Sequence, residues 1–393
     1  MTVVVLAMIT WDVFLLYALI RMPRLQKPWS IMAAVVLGLT LLAFNFSITF
    51  SRIVTDWDRW RPLVSFCSSL MPVFFYLLFG TGIIWLIYLI WSIRQPKAPK
   101  KPSALIKTPR IRFVRKALVV AILTALTVTA FGYWGAHHPT TRPINVTLPN
   151  LPAQFNGFKI ALITDIHASP TLGRDFVQGI VDQTNQAEPD LIVIVGDLAE
   201  GNTDQAGPAL EPLTDLLAPF GVYAAFGNHD FYSHGQSWID WLEARQIHVL
   251  ANEGVVLTRG LASIDLLGIA DRTAPSAYRP DLQAAADQLH RDYGVPVNGD
   301  GRCRILLAHQ PIQVFDQNSL AAKLGVDLQL SGHTHGGQLW PFSFAVGLQQ
   351  PMVSGVKEIA GVTVVTSRGA GAWWTPVRVG APAEIPIVVL HRV

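Results

Sequence analysis

The first third of the chain contains four long apolar runs, and their length limits what this part of the molecule can be. They lie at about residues 1–20, 29–50, 63–91 and 117–136. A helix needs roughly 20 apolar residues to cross the hydrocarbon core of a bilayer. Inside that core, only helices and closed barrels satisfy the polar groups of the backbone. The sequence therefore predicts an all-α membrane part of about four transmembrane helices over residues 1–136.

The composition agrees with a chain that is divided into a membrane part and a soluble part. Hydrophobic residues make up 51% of the 393 residues and charged residues only 15%, whereas soluble domains carry about 25% charged residues. The formal net charge of +3 is too small to indicate a nucleic-acid partner, and the sequence has no basic face with interleaved aromatic residues. Cys67 and Cys303 are too few for a disulfide framework, and we interpret both as unpaired apolar side chains.

The loops between the apolar runs predict the orientation of the membrane part. Residues 21–27 and 92–116 carry Lys and Arg without any Asp or Glu, whereas residues 51–62 also contain Asp56 and Asp58. Loops rich in Lys and Arg remain on the cytoplasmic side, and with four spans the two acid-free loops share that side. We therefore expect a multi-pass protein of the cell inner membrane with its C-terminal part on the periplasmic or extracellular side. Three or five spans would invert this orientation.

The remaining two thirds of the chain alternate between two kinds of pattern. Residues 137–157 are rich in proline and predict a linker to a globular domain at residues 158–393. In that domain, short β-branched runs such as KIALI and LIVIV are typical of buried strands, and DFVQGIVDQTNQA places Val177, Ile180 and Val181 at helical spacing. The alternation predicts an α/β domain with buried sheets, in which the later runs can form a second sheet packed on the first.

Polar side chains follow five of the predicted strands, at the point where each strand ends. They are Asp165 and His167, then Asp197, then Asn228 and His229, then His309, and finally His333 and His335. Ligands of open α/β sheets bind at the carboxyl ends of the strands. Carboxylates, imidazoles and one amide, without thiolates, suit Mn, Fe or Zn. Their number suits two ions about 3.5–4 Å apart better than one tetrahedral ion.

Each of these blocks also has a structural explanation when it stands alone. An Asp after a strand is usually a helix N-cap, a buried His is usually a hydrogen-bonded core residue, and the Gly-Asn pair of GNHD favours a turn. Five blocks in order, each at the end of a strand, are difficult to obtain by chance. The set therefore indicates a site for two divalent metal ions.

The blocks together resemble the calcineurin-like metallophosphoesterases, whose pattern is D-x-H, G-D, G-N-H-D/E, H and G-H-x-H. Every element is present, and the resemblance covers residues 144–393. The GHTHGGQ form and the segment from Ser367 onward are also similar to the YkuE/YaeI-type membrane-associated bacterial branch. The resemblance implies a β-sandwich flanked by helices, with a dinuclear metal site at its edge.

The resemblance also implies a role for each residue of the site. Asp165, His167 and His335 would hold the first metal, Asn228, His309 and His333 the second, and Asp197 both. His229 would face the substrate and protonate the departing oxygen, and Asp230 would orient its ring. Arg368 would contact the phosphate or form a surface ion pair, and the two interpretations have equal weight.

The activity implied by the resemblance is hydrolysis of phosphoric ester bonds. A phosphodiester of a lipid or lipid-linked molecule is the first candidate substrate, because the membrane tether raises its local concentration and because Trp373 and Trp374 suit a membrane interface. The tryptophans can equally be core residues. A soluble periplasmic phosphate ester or nucleotide is the alternative substrate, and a catalytically silent membrane sensor or scaffold is the alternative of another class. The sequence does not indicate an oligomeric state.

Overall fold

The chain divides into two compact units in a computed structural model that describes residues 27–93, 109–297 and 301–393. We call the first the helical unit; it comprises the residues up to Ile53 and Pro62–Tyr133. We call the second the sheet unit; it comprises Val54–Arg61 and Trp134–Val393. The expected span at residues 1–20 lies outside the described residues.

The described residues of the helical unit form three long helices: α1 (Lys27–Ile53), α2 (Trp57–Ile93) and α3 (Pro109–His137). The first residues of α2 and the last residues of α3 belong to the sheet unit. Each contains a segment that is long and apolar enough to cross a membrane, at Ser30–Ser51, Trp57–Ile93 and Pro109–His137. Many of their large apolar side chains are exposed, among them Leu39, Leu42 and Val120. A helix that is apolar on its outer surface is typical of a membrane span. The three segments coincide with the second, third and fourth spans expected from the sequence.

Residues 54–61, which include the connection after α1 and the start of α2, pack within the sheet unit. Trp57 is buried. Its ring lies beside Gly201, where an added Cβ would be 3.5 Å from the Trp57 ring. Arg61 Nη1 lies 3.8 Å from Asp175 Oδ2. Residues 54–61 and the residues after α3 therefore belong to one body.

Twelve strands build two sheets in the sheet unit. They are β1 (Thr140–Leu148), β2 (Lys159–Ile163), β3 (Leu191–Val195), β4 (Val222–Ala225), β5 (Ile247–Val249), β6 (Glu253–Arg259), β7 (Ala262–Gly268), β8 (Arg304–Leu307), β9 (Leu328–Ser331), β10 (Gly355–Ile359), β11 (Val362–Thr366) and β12 (Glu384–Arg392). The six-stranded sheets have the orders β1-β12-β2-β3-β4-β5 and β10-β11-β9-β8-β7-β6. Strands β2 to β5 are parallel in the first sheet, as are β7, β8, β9 and β11 in the second.

The two sheets stack on one apolar core. Leu162 and Val193 of the first sheet pack in one cluster with Leu266, Ile305 and Leu330 of the second, and all five are fully buried. Burial of this apolar surface is the main force that holds the sheets together. The result is the β-sandwich that the family resemblance implies.

Seven shorter helices accompany the strands in the described part of the sheet unit. They are α4 (Arg174–Gln186), α5 (Thr203–Leu210), α6 (Asn228–Tyr232), α7 (Gly235–Glu243), α8 (Leu282–Tyr293), α9 (Asp316–Lys323) and α10 (Ser343–Val346). Val177, Ile180 and Val181 form the buried face of α4, so the prediction of a helix there is confirmed. Leu282 and Leu289 of α8 pack on the outer face of the second sheet.

Strand β1 differs from the sequence expectation. Residues 140–148, expected to belong to a linker, pair in parallel with β12 from Thr140 opposite Glu384 onward. Their alternation buries Ile144, Val146 and Leu148 in the core. The prolines of this stretch misled the prediction, because Pro143 lies in an edge strand, where a missing N–H costs little.

Candidate metal centre

The carboxyl ends of five strands carry the ligands predicted from the sequence. Asp165 and His167 follow β2, Asp197 follows β3, Asn228 follows β4, His309 follows β8, and His333 and His335 follow β9. Because β2, β3 and β4 are parallel, their carboxyl ends share one edge of the first sheet. The ends of β8 and β9 likewise share one edge of the second sheet.

Asp165, His167 and His335 form one group that can hold a metal ion. One ligand atom from each lies within 4.8 Å of the others. His335 Nε2 lies 3.0 Å from His167 Nε2 and 3.5 Å from Asp165 Oδ1. Two imidazole nitrogens and a carboxylate oxygen thus converge on one point.

Asp197, His309 and His333 form a second group, within the same 4.8 Å limit. His309 Nε2 lies 3.1 Å from Asp197 Oδ2. The same Asp197 oxygen lies 3.6 Å from His167 Nε2 of the first group. The carboxylate of Asp197 therefore lies between the two groups, where a bridging ligand must be.

The polar groups of the site fit divalent cations. Asn228 Oδ1 is buried and has no hydrogen-bond partner among the described residues, and a buried polar atom without a partner is costly unless an ion or water satisfies it. Burial opposes ionisation of Asp197, but the nearby His309, His229 and His167 outweigh it and hold its pKa well below the ordinary value. An anionic, imidazole-lined centre without thiolates suits two cations of the Mn, Fe or Zn kind.

Five of the seven predicted ligands have a left-handed backbone conformation. The φ angles are 52° at Asp165, 44° at His167, 56° at Asp197, 69° at His333 and 51° at His335. Positive φ is uncommon for residues other than glycine, and such strain persists only where the surrounding structure imposes it. The strand-end loops are thus held in strained conformations that aim the side chains at each other.

Glycines allow the loops to approach closely. A Cβ at Gly227 would lie 2.3 Å from Asp197 Oδ1, and one at Gly332 would lie 2.4 Å from Asp165 Oδ2. Both distances are too short for a side chain. These two positions explain why the G-N-H-D and G-H-x-H blocks begin with glycine.

His229 faces the centre but contacts a carboxylate other than the expected one. Its Nδ1 lies 2.9 Å from Glu200 Oε1. The carboxylate of Asp230 instead accepts hydrogen bonds from the backbone N–H groups of Asp197, Leu198 and Gly227. Asp230 thus fixes the loops, and the ring contact expected of it is made by Glu200.

Glu200 also contacts the first ligand group. Its Oε1 lies 2.6 Å from His167 Nδ1, so one carboxylate oxygen accepts from two imidazoles. Burial opposes ionisation of Glu200, but the hydrogen bonds from His167 and His229 outweigh it and lower its pKa to about 2. Glu200 thus joins the first ligand group to His229, the residue expected to face the substrate.

The charge of His229 follows from the same contacts. Burial lowers its pKa, but the hydrogen bond to Glu200 and the charge of Asp197 outweigh burial and raise it to about 9. These contacts favour the protonated form of the imidazole. A general acid that protonates a leaving oxygen must be in this state.

The model of the calcineurin-like phosphoesterase family matches residues 158–337. A metallophosphoesterase of Caenorhabditis elegans is 31% identical over 337 residues, which cover 84% of this chain and 67% of that protein. The chain belongs to the calcineurin-like phosphoesterase family. It is thus a metallophosphoesterase, a hydrolase of phosphoric esters in a family that depends on two metal ions.

Two further relatives extend this finding. A Danio rerio protein named as a transmembrane protein with a metallophosphoesterase domain is 29% identical, over 93% of this chain and 81% of its own length. The Bacillus subtilis metallophosphoesterase YkuE is 29% identical, over 68% of this chain and 93% of its own length. The first alignment includes the apolar helices of this metallophosphoesterase, and the second confirms the predicted likeness to YkuE.

Two arginines border the centre of this metallophosphoesterase. Arg368 forms an ion pair with Glu384 and donates its backbone N–H to the same carboxylate, 3.0 Å away. Of the two interpretations given to Arg368, the ion pair has contacts in the structure. Arg378, which sequence reasoning missed, is buried, donates to His335 O at 3.1 Å and places Nη2 3.2 Å from His335 Nδ1. No motif marks Arg378, so only the fold reveals its contact with a predicted ligand.

Aromatic side chains border His229 on the outer side. The Trp373 ring lies 5.9 Å from the His229 ring, and the Tyr232 ring lies 5.3 Å from it, measured between centroids. Trp373, Trp374 and Tyr232 are all exposed. The two tryptophans are therefore surface residues beside the centre, and the alternative that they belong to the core is wrong.

Proposed function

We propose that this metallophosphoesterase is membrane-anchored and hydrolyses a phosphodiester of a lipid or lipid-linked molecule through two divalent metal ions. In this proposal Asp165, His167 and His335 hold the first ion, Asn228, His309 and His333 hold the second, and Asp197 holds both. The observation that carries the proposal is the position of Asp197, whose Oδ2 lies 3.1 Å from His309 and 3.6 Å from His167.

The bound cations supply two things: they lower the pKa of water enough to provide a nucleophile near neutral pH, and they neutralise charge on the phosphate oxygens. The protein supplies the remainder. His229 donates its proton to the departing oxygen, and Glu200 holds the imidazole by its Nδ1, so that Nε2 is directed away from Glu200. Asp230 holds the backbone of Asp197 and Gly227 in register with the site.

A lipid substrate is supported by the surroundings of His229. Trp373 flanks it, and the neighbouring Ala372 packs with Leu172 against Ala136 in the last turn of α3. That turn ends a helix apolar enough to cross a membrane. In this proposal a phosphate at the lipid headgroup level reaches the centre without leaving the bilayer surface.

The domain organisation and the location are part of the proposal. The membrane part comprises residues 1–136 and the catalytic domain comprises residues 158–393, and that domain lies on the periplasmic or extracellular side of the inner membrane. The acid-free basic loops at residues 21–27 and 92–116 support this orientation. The packing of Val54–Arg61 within the sheet unit supports it too. If α2 and α3 each cross the membrane once, residues 54–61 and the residues after α3 lie on the same side.

The test is a hydrolysis screen of the full-length protein in lipid nanodiscs with Mn²⁺. Chromogenic monoesters and diesters are compared with bacterial phospholipids and with nucleotides. We expect Mn²⁺-dependent release of phosphate or headgroup from lipid, and a loss of about a thousandfold on Asp197→Asn. The matched control Asp182→Asn, on the exposed face of α4, should retain activity.

Three outcomes separate the candidate functions. Turnover of soluble esters or nucleotides but not of lipids would favour the soluble periplasmic substrate. Unimpaired turnover by Asp197→Asn would contradict the two-metal chemistry. A folded protein that hydrolyses none of the substrates, together with a cellular role that survives Asp197→Asn, would favour a sensor or scaffold.

A further inference from the structure

The segment that follows the G-H-x-H block is unusually apolar and exposed. Between residues 339 and 348, here called the apolar segment, the side chains of Trp340, Phe342, Phe344 and Leu348 are 58%, 52%, 73% and 89% exposed. Single exposed apolar residues are common on soluble surfaces, but a contiguous patch marks an interaction surface. The catalytic chemistry proposed above uses none of these four side chains.

The apolar segment carries no charge. No Asp, Glu, Lys or Arg occurs between His335 and Lys357. A peripheral surface that binds lipid by charge is rich in Lys and Arg, so this segment lacks the means for electrostatic attachment. It has instead the aromatic residues that favour the boundary between headgroups and acyl chains.

Hydrogen bonds fix the apolar segment beside the mouth of the site. The Gln338 amide accepts from the Trp373 backbone N–H and donates to the Trp373 carbonyl oxygen, each at 2.9 Å. Leu339 forms bridges with Val379 and Gly380. Since the Trp373 ring flanks His229, the apolar segment begins next to the residue that faces the substrate.

The same loop reaches the end of the last apolar helix. Ala372, next to Trp373, packs against Ala136 in the final turn of α3. Trp134, in that turn, is exposed and stacks on His138. An exposed tryptophan at the end of an apolar helix is typical of a membrane interface. The loop that carries the exposed Trp373 is therefore in contact with the end of α3 through Ala372 and with the start of the apolar segment through Gln338.

We propose that the apolar segment inserts into the lipid interface and holds the mouth of the metal centre against the bilayer. The occupant of this surface is the bilayer that the chain's own helices cross, because the surface adjoins the end of α3 and is neutral and aromatic. Insertion does not require anionic lipid, since the segment has no cation to attract it. The inference extends the proposed function and rests on it only for the statement that the site acts on lipids.

The direct test measures the surroundings of the segment in the intact protein. Phe344→Cys and Leu348→Cys are made in the full chain, labelled with a nitroxide and reconstituted in vesicles of neutral phosphatidylcholine. Power saturation then compares accessibility to oxygen, which partitions into lipid, with accessibility to a water-soluble nickel complex. Cys67 and Cys303 are buried, so we expect little background labelling. Protein without an introduced cysteine measures this background.

A matched control is Leu261→Cys, on a fully exposed side chain in the turn between β6 and β7. Leu261 lies just before the start of β7, and β7 runs parallel to β8. Because His309 follows the end of β8, Leu261 lies at the opposite edge of the sheet from the ligands. We expect the labels at 344 and 348 to favour oxygen and the label at 261 to favour the nickel complex. Equal access of nickel at 344, 348 and 261 would overturn the proposal. Exclusion of both reagents from 344 and 348 would also overturn it, because a protein surface would then cover the segment.

A second arm measures turnover and separates this inference from the proposed function. We expect the double variant Phe344→Ser with Leu348→Ser to hydrolyse a soluble chromogenic ester at the wild-type rate and a lipid substrate about tenfold more slowly. Equal lipid turnover by variant and wild type would contradict docking. The spin-label measurement does not depend on turnover, so it tests insertion of the apolar segment even if the protein hydrolyses no lipid.

Discussion

Glu200 offers the sharpest test of how the site works, because one carboxylate oxygen serves both halves of it. The oxygen accepts from His167 Nδ1 at 2.6 Å and from His229 Nδ1 at 2.9 Å. We therefore expect Glu200→Gln to weaken metal binding and proton donation together. Glutamine keeps the length of the side chain and one acceptor oxygen, so the change removes mainly the charge.

The size of the loss follows from the two hydrogen bonds. A hydrogen bond to a charged group contributes about 1.5–3 kcal/mol and a neutral one about 0.5–1.5 kcal/mol. Each of the two bonds therefore loses about 1 kcal/mol, and their sum of about 2 kcal/mol corresponds to about a 30-fold loss of activity. This lies within the tenfold to hundredfold cost that is usual for a group supporting a metal-binding histidine.

The assay separates the two effects. Weaker support of His167 raises the Mn²⁺ concentration that gives half-maximal activity, whatever the substrate. Weaker support of His229 slows the hydrolysis of esters whose leaving group needs a proton. At saturating Mn²⁺, the variant should therefore lose more activity on alkyl esters than on p-nitrophenyl esters. The control is Glu211→Gln, which removes a partly exposed ion pair with Arg245 and should change activity by less than about twofold.

The result that refutes this reasoning is specific. A Glu200→Gln enzyme that needs no more Mn²⁺ than the wild type would show that the contact with His167 does not support a ligand. Equal losses on alkyl and p-nitrophenyl esters at saturating Mn²⁺ would show that Glu200 does not act through His229. Recovery of both activities in Glu200→Asp would instead support the reasoning, because aspartate keeps the charge and only shortens the side chain.

Three further predictions follow from contacts around the centre. Asp230→Asn should lower the free energy of unfolding by about 2–4 kcal/mol, because an amide cannot accept all three backbone hydrogen bonds; an unchanged denaturant midpoint would argue against this. Gly371→Ala should yield little folded enzyme, since its Cβ would lie 1.9 Å from Ile166 O, and a normal circular dichroism spectrum with normal activity would contradict the geometry. Burial, with the charges of Asp327 and Asp265, raises the pKa of the Cys303 thiol. At about pH 8, iodoacetamide should therefore alkylate Cys303 only after denaturation. Alkylated Cys303 in the folded protein, detected by mass spectrometry, would contradict this.

The strand ends were predictable from sequence because two signals coincide there. A short β-branched run ends, and a polar residue with metal-binding capacity follows at once, as at Ile163 before Asp165 or Val195 before Asp197. Each signal is local in the chain. Parallel pairing then brings the ends of β2, β3 and β4 to one edge of the first sheet and those of β8 and β9 to one edge of the second. The stacking of the two sheets, which places these edges together, is not a local signal.

Contacts made across the fold were not predictable in the same way. Glu200 lies 33 residues from His167, and its position three residues after Asp197 in G-D-L-A-E is compatible with a solvent-exposed turn. The family resemblance implied that Asp230 orients the His229 ring, but residue neighbours in a helical turn face different directions. Arg378 has no local signal at all. The positive φ angles of the ligands are likewise imposed by packing rather than by residue type.

In the proposed site each of the two ions would be held by residues from both sheets, and this would couple the site to the stability of the fold. The first group takes Asp165 and His167 from the first sheet and His335 from the second, and the second group takes Asp197 from the first sheet and His309 and His333 from the second. A cation bound by either group would therefore link the two sheets across the edge of their shared core. Each filled site should stabilise the folded state by about 2.7 kcal/mol at a metal concentration of 100 Kd.

This coupling predicts that chelation loosens the sandwich as well as abolishing turnover. Denaturant unfolding of the full-length protein, followed by tryptophan fluorescence, should show a midpoint that falls with EDTA and recovers with Mn²⁺. Asp197→Asn should abolish most of this metal-dependent shift although it removes a single side chain, because that carboxylate lies in both groups. The Asp182→Asn control should retain the full shift. An Mn²⁺-dependent midpoint of the same size in Asp197→Asn and in wild type would mean that the metal stabilises the protein elsewhere, and Asp197 would then not be the bridge between the sheets.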